Sequence, residues 1–208
     1  MRDFSKKYLD YLTGPLAGIN LTRITDENEF YYKQIYDSII PLEKCPLFKK
    51  LLEERLLLID VGFGGGFPIL PLAHSVPRGT FIGFEARGKK AQAVTQIAEH
   101  LGITNARLFH QRVEEIDFDL PCVITFKAVG KIDEMLSLIH PTAPTIVYFY
   151  KGPNWQELEN LGPIEPRWQL VEHVSIEIPE TEGRTILGFA WKNVPCGTKK
   201  LVKLSNFL

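Results

Sequence analysis

The sequence is poor in the residues that build metal centres and disulfide frameworks. Its 208 residues contain 3 cysteines and 5 histidines. Cys45, Cys122 and Cys196 are far apart, odd in number and without metal-ligand spacing. Neither a disulfide scaffold nor a metal site is therefore expected, and a reducing cytoplasm suits the chain. Scattered single histidines such as His74 and His100 suit surface or core positions better than ligand sets. No apolar run approaches the ~20 residues of a membrane span. The opening "MRDFSKKYLDYL" is charged and has no apolar h-region, so a secretory signal is not expected. Low-complexity tracts and solenoid-period repeats are missing too. An excess of charge is also lacking: 24 basic and 25 acidic residues leave a formal net charge of −1. A dedicated nucleic-acid-binding domain usually reads basic, so the sum argues against one. The distribution is less even. The stretch "KNVPCGTKKLVK" carries lysines and no acid, and Arg87, Lys89 and Lys90 follow a predicted strand. A solvated basic face and a phosphate-tracking patch both fit these runs.

What is present is a chain long enough, and at 45% hydrophobic residues apolar enough, for one domain of ordinary size with an appendage. Residues 1–55 read as a helical extension, 56–193 as the main domain and 194–208 as a basic tail. In the extension, Asp26 lies three residues before Glu29 as a possible capping box, Phe30, Ile35 and Ile39 recur at near-helical spacing, and Pro41 ends the pattern. A second short helix is expected in "PLFKKLLEE". From Leu56 onward strands and helices alternate. "RLLLIDV" is a continuous apolar run of the kind buried on both faces. "PILPLAHSV" reads as a short helix, "GTFIGFEA" as a strand and "GKKAQAVTQIAEHLGI" as a helix. Ala91, Val94, Ala98 and Leu101 share one face of that helix, and Gly102 caps it. "NARLFHQR", "CVITFKA" and "TIVYFYKG" continue the strands, with a helix in "IDEMLSLIH". This alternation predicts a parallel, doubly wound α/β sheet. The last two strands, in "WQLVEHVSIEI" and "TILGFAWKN", are joined only by "PETEGR", a connection short enough for an antiparallel hairpin but not for a parallel crossover.

The chemistry concentrates in "DVGFGGGFP", where Gly62, Gly64, Gly65 and Gly66 follow the first strand. In open α/β sheets ligands lie beyond the carboxyl ends of the strands, and this loop lies there. Counted from Gly62, the sixth position is Phe67, which breaks the dinucleotide fingerprint G-x-G-x-x-G; no Lys-Ser/Thr pair follows to make a phosphate loop. Glu85, at the end of the second strand, is placed to accept the two hydroxyls of a ribose or, equally, to cap the next helix. S-adenosylmethionine has no phosphate; it carries an amine, a carboxylate and a sulfonium. Asp60, just before the glycines, would repel a pyrophosphate and suit an ammonium. Asp60, Glu85 and the terminal hairpin together favour a methyltransferase over a nicotinamide enzyme.

The sequence resembles the bacterial 16S ribosomal RNA guanine-N7 methyltransferases, the small-subunit methyltransferase G group once called glucose-inhibited division protein B. The resemblance runs from about Leu12 to Asn193. It rests on "NLTRI" (20–24), "IYDSI" (35–39), "DVGFGGGFPILPL" (60–72), "GKK" (88–90), "QRVEEI" (111–116), "FKAV" (126–129), "YKG" (150–152) and "EGRTIL" (182–187). It implies a class I S-adenosylmethionine-dependent methyltransferase fold, Rossmann-like, with cofactor contacts at Gly62, Phe67, Val113, Glu114 and Lys127. Gly64 and Gly66 would shape the loop, and Glu85 matches the family's acid. Arg112, Lys151 and Arg184 match basic positions that would face RNA phosphate, with Lys127 beside them. Attack by guanine N7 removes no proton, so no general base is expected. The implied partner is 16S rRNA in the small subunit or its precursor, met by a monomer. The chain departs from the family at Phe63 (Thr), Ile69 (Gly), Phe126-Lys127 (Ser-Arg) and Lys33-Gln34 (Arg-His). Two other readings remain open at this point. One is a small-molecule methyltransferase with residues 1–55 as its lid. The other is a non-catalytic RNA-binding relative.

Overall fold

A computed structural model of the chain describes residues 1–54, 57–193 and 201–208. The extension begins with α1 (Arg2–Thr13). A continuous helical run follows: α2 (Glu27–Phe30), a π-helical stretch Tyr31–Tyr36 and α3 (Asp37–Ile39). The run starts where the Asp26 carboxylate accepts the Glu29 amide proton at 2.8 Å, one half of the expected capping box. Pro41 breaks it and opens α4 (Pro41–Lys44), and a second proline opens α5 (Pro46–Glu53).

Beyond the extension lie β1 (Leu57–Val61), α6 (Ile69–Ser75), β2 (Phe81–Glu85), α7 (Gly88–His100) and β3 (Ala106–His110). They are followed by β4 (Ile116–Phe118), β5 (Cys122–Lys127), α8 (Ile132–Ser137), β6 (His140–Pro141), β7 (Thr145–Lys151) and α9 (Trp155–Leu158). The chain ends with β8 (Trp168–Ile176), β9 (Arg184–Trp191) and β10 (Val202–Lys203). The main sheet has 7 strands in the order β3-β2-β1-β5-β7-β9-β8. From β3 to β7 the neighbours are parallel, while β9 runs antiparallel to both β7 and β8. This is the expected doubly wound sheet with its terminal hairpin, and β9 slots between β7 and β8.

Every residue of β1 and β2 is buried because both sheet faces are covered. One face carries α6, α7 and the N-terminal helices in a single core that runs from Phe4 and Tyr8 to Val94 and Ile97. The extension is thus part of the domain's core rather than a separate layer. The other face carries Ile132 and Leu136 of α8, together with Trp155 and Leu204.

Three features differ from the sequence reading. The helix in "IDEMLSLIH" ends at Ser137, and His140 enters β6 instead. A small parallel sheet, β10-β4-β6, was not anticipated. The end of the expected basic tail is packed: Leu204 is fully buried, and Phe207 sits edge-on to Phe84 at 5.1 Å. The Ser205 amide and hydroxyl both donate to Asp119. Cys196, Lys199 and Lys200 of that tail lie outside the described residues, as does the junction at residues 55 and 56. Among the described residues, no helix is long and apolar enough to cross a membrane.

Candidate functional site

After β1 the chain turns through Gly62, Gly64 and Gly66 at φ of 69°, 55° and 91°. These left-handed values favour glycine, which meets no Cβ penalty there. Two hydrogen bonds fix the turn to β2, and a third holds the Glu85 carboxylate in place. The Gly62 amide donates to the Phe84 carbonyl at 2.7 Å. The Gly64 amide donates to Glu85 Oε2 at 3.0 Å, and the Arg87 amide to Glu85 Oε1 at 2.9 Å. Glu85 therefore does cap the turn before α7, and at the same time ties it to the glycine loop. The departure at Phe63 has a local partner. Its ring is 1% exposed and packs on Gly83, where a Cβ would come within 2.6 Å of it. A bulky residue fits at 63 because 83 has no side chain.

The loop walls a cavity of about 730 Å³ at the carboxyl ends of the strands. Residues 62–65 and Phe67 line one side, 85–87 and Lys90 another, and 111–114 a third; 127–129 and residues 21–24 of the extension complete it. Of the residues expected at the cofactor, Gly62, Gly64, Phe67, Glu85, Val113, Glu114 and Lys127 come together here, with Arg112 at the mouth. The wall at 21–24, Arg23 included, was not picked out as part of the site, while Arg87 and Lys90 belong to the run that fitted either a solvated basic face or a phosphate-tracking patch. "NLTRI" contained the first signal and "EARGKK" the second.

Asp60 and Gly66 lie behind the loop. Asp60 is wholly buried: its Oδ2 accepts from the Ile69 amide at 3.3 Å, and its Oδ1 from the Thr125 hydroxyl at 2.9 Å. It joins β1 to β5 and to the start of α6 instead of facing an ammonium in the cavity. Burial raises its carboxyl from 3.8 to about 7, against the pull of the Thr125 and Ile69 bonds and of Lys127. The folded chain thus holds a proton that the unfolded chain releases, and the resulting loss of stability grows as pH rises from about 4 to about 7. Asn in place of Asp60 can donate to Thr125 and accept from Ile69 without titrating. Between about pH 5 and about pH 8 the melting temperature of Asp60→Asn is expected to fall less than that of the wild type. Parallel profiles in a thermal scan would contradict a titrating Asp60.

The remaining expected cations are held inside the protein. Arg184 grips Asp37 with two bonds, Nε to Oδ1 at 2.6 Å and Nη2 to Oδ2 at 2.9 Å. Lys127 Nζ lies 3.1 Å from the same Asp37 Oδ2 and 3.2 Å from Gln34 Oε1. Burial lowers the Lys127 pKa, and Asp37 opposes that fall. Lys151 is bound to Glu159 at 2.5 Å and to the Gly130 carbonyl at 2.9 Å. Lys151 and Arg184 therefore turn away from the cavity, and of this group only Lys127 reaches it. The departures at Lys127 and at Lys33-Gln34 meet here, since Lys127 takes Gln34 as a partner across 93 residues of sequence. Among the described residues no cluster of His, Cys, Asp and Glu could hold a metal ion.

Comparison with known proteins places this geometry in context. A family model described as rRNA small subunit methyltransferase G matches residues 3–186. The "Ribosomal RNA small subunit methyltransferase G" of Lactobacillus acidophilus is 31% identical over 201 residues, covering 88% of this chain and 79% of that protein. The protein of the same name from Streptococcus pyogenes is 36% identical over 128 residues, 59% of this chain and 52% of its own length. Among solved structures, a B. subtilis tRNA methyltransferase has a TM-score of 0.52 at 14% identity, covering 71% of this chain and 65% of that one. Thermoplasma acidophilum 1320 also has a TM-score of 0.52, at 12% identity, covering 92% and 97%. At such identities these two structures speak for the fold alone.

Proposed function

The chain belongs to the rRNA small subunit methyltransferase G family, and on that premise we propose that it transfers the methyl group of S-adenosylmethionine to N7 of a guanine in 16S rRNA, within the small ribosomal subunit or its precursor. The observation that carries this reading is Glu85, a buried carboxylate at the end of β2 that faces the glycine loop inside the cavity.

The residues present fit the cofactor. A cavity of about 730 Å³ is within the usual range for small-molecule sites. Glu85 uses one acceptor position on each oxygen for the Gly64 and Arg87 amides. A carboxylate offers about four such positions, so the ribose hydroxyls have acceptors left. Val113 would give an adenine an apolar surface, with Glu114 beside it, and the Gly62 backbone and Lys127 would hold the methionine end. Bound there, the cofactor supplies an electrophilic methyl on sulfur. The chain's own part is positioning. Guanine N7 already presents a lone pair, so no side chain has to take a proton. Holding nucleophile and methyl in line contributes as much as ~7–11 kcal/mol in favourable cases.

RNA phosphate falls to the cations of the cavity mouth. Arg23, Arg87 and Arg112 are exposed and Lys90 is half-buried. Arg112 Nη1 lies 3.2 Å from Glu114 Oε1, and the single carboxylate of S-adenosylmethionine does not account for the other three cations, whereas the phosphates flanking a splayed guanine do. The near-zero net charge is thus offset locally. Arg23→Ala and Arg87→Ala are each expected to lower the slope of log affinity against log salt for RNA by about one. A filter-binding titration at several salt concentrations measures this, and an unchanged slope takes either residue off the RNA face.

The direct test incubates the protein with labelled S-adenosylmethionine and small subunits from a methylation-deficient strain, then maps the labelled base. Label at a guanine N7 is expected. Wall residues 21–24 also favour a second reading, because they narrow the cavity as a lid over a small molecule would. Label in a metabolite and none in RNA would establish that reading instead.

A further inference from the structure

We propose that Tyr8 is a positioning residue for the cofactor loop, so that the N-terminal helix sets the shape of a cavity whose chemistry belongs to the sheet. The proposal rests on the cofactor reading above. Tyr8 is fully buried in α1, far in sequence from the loop, and its hydroxyl donates to the Gly65 carbonyl at 2.6 Å. Its ring stacks on Phe67 at 5.1 Å, and Phe67 lines the cavity. Gly66 leaves room for the hydroxyl: a Cβ there would collide with the Tyr8 oxygen. One side chain therefore touches the loop's backbone, its wall and one of its left-handed glycines.

The chain that leaves α1 supplies the second contact. A Cβ at Gly65 would come within 2.8 Å of the Leu21 carbonyl, and residues 21–24 form a cavity wall. The loop is thus held from two sides. Glu85 binds the Gly64 amide from the sheet, and Tyr8 binds the next carbonyl from the extension. Without the hydroxyl, the Gly65 carbonyl loses its buried donor, and the left-handed turn around it is free to relax. Linkage works in both directions. If docking of α1 shapes the loop, a ligand that binds the shaped loop must also strengthen the docking of α1.

Tyr8→Phe keeps the ring and removes the bond. In calorimetric titration with S-adenosylmethionine, stoichiometry reports the folded fraction and Kd reports the site. Stoichiometry is expected to hold while Kd rises about tenfold, the scale of one buried hydrogen bond. Tyr11→Leu removes a contact of the same helix that does not touch the loop, the stack of Tyr11 on His100 (4.2 Å), and leaves the Tyr8 bond to Gly65 that docks α1 on the loop. It is expected to lower the melting temperature and leave Kd alone. An unchanged Kd in Tyr8→Phe, or an equal rise in Tyr11→Leu, overturns the proposal. Amide exchange of the wild type keeps the test open if Tyr8→Phe does not fold. S-adenosylmethionine is expected to slow exchange around Tyr8 together with that of Gly65 and Gly66, and unchanged exchange in α1 overturns the proposal. A wild-type chain that binds no S-adenosylmethionine overturns the cofactor reading itself.

Discussion

Glu85→Ala is expected to weaken S-adenosylmethionine binding about 100-fold, or about 2.8 kcal/mol at 1.4 kcal/mol per factor of ten. Two losses contribute. The ribose hydroxyls lose a charged acceptor, and hydrogen bonds to charged groups contribute roughly 1.5–3 kcal/mol each. The Gly64 and Arg87 amides also lose their common partner, which loosens the glycine loop against β2 before any ligand arrives. Glu85→Gln separates the two. Its carbonyl oxygen can still accept from Gly64, but its amide nitrogen meets the Arg87 donor, so about a tenfold loss is expected. Calorimetry measures both, with thermal melting as the check on folding. Wild-type affinity in Glu85→Ala would remove Glu85 from the cofactor site and with it the main support for the proposed function.

The parts of this site that could be read in the sequence are those governed by local pattern. A strand buried on both faces has to be continuously apolar, so β1 showed itself in "RLLLIDV". Left-handed turns favour glycine, so the loop showed itself at 62–66. A strand pair with a short connection has to be antiparallel, so β8 and β9 followed from "PETEGR". Side-chain direction and distant pairing leave no such trace. Asp60 looked like a cavity residue because it precedes the glycines. Its partners, Thr125 and the Ile69 amide, come from β5 and α6, and only the assembled sheet turns it inward. Arg184 and Lys151 were expected to face RNA phosphate because they match basic positions of the resembled family. Each instead satisfies a buried carboxylate, Asp37 or Glu159, that no spacing rule connects to it. The π-helical stretch Tyr31–Tyr36 brings the Lys33 carbonyl and Gln34 up to Lys127, a juxtaposition that helical periodicity alone does not predict.

Asp37 is where that hidden pairing is expected to matter most for stability. Its side chain is 1% exposed and compensates two cations at once, Lys127 at 9% exposure and Arg184 at 25%. Removing one partner of a buried ion pair typically costs about 3–5 kcal/mol, because the charge left behind is desolvated and uncompensated. Asp37→Ala is expected to fall in that range, read from the urea midpoint at constant slope. Arg184→Ala should cost less, since Lys127 still faces Asp37 and the space that Arg184 leaves is partly open to water. The same substitution should leave the salt dependence of RNA binding unchanged, unlike Arg23→Ala. Adding Lys127→Met to Asp37→Ala removes the buried ammonium and is expected to restore part of the lost stability. An additive loss in the double variant would mean that the cost of Asp37→Ala lies in packing and not in the stranded charge. A double variant that regains stability but not cofactor affinity would assign Lys127 two separable roles. One is neutralising Asp37 in the core. The other is presenting its amino group, beside the Phe67 ring at 5.7 Å, to whatever occupies the cavity.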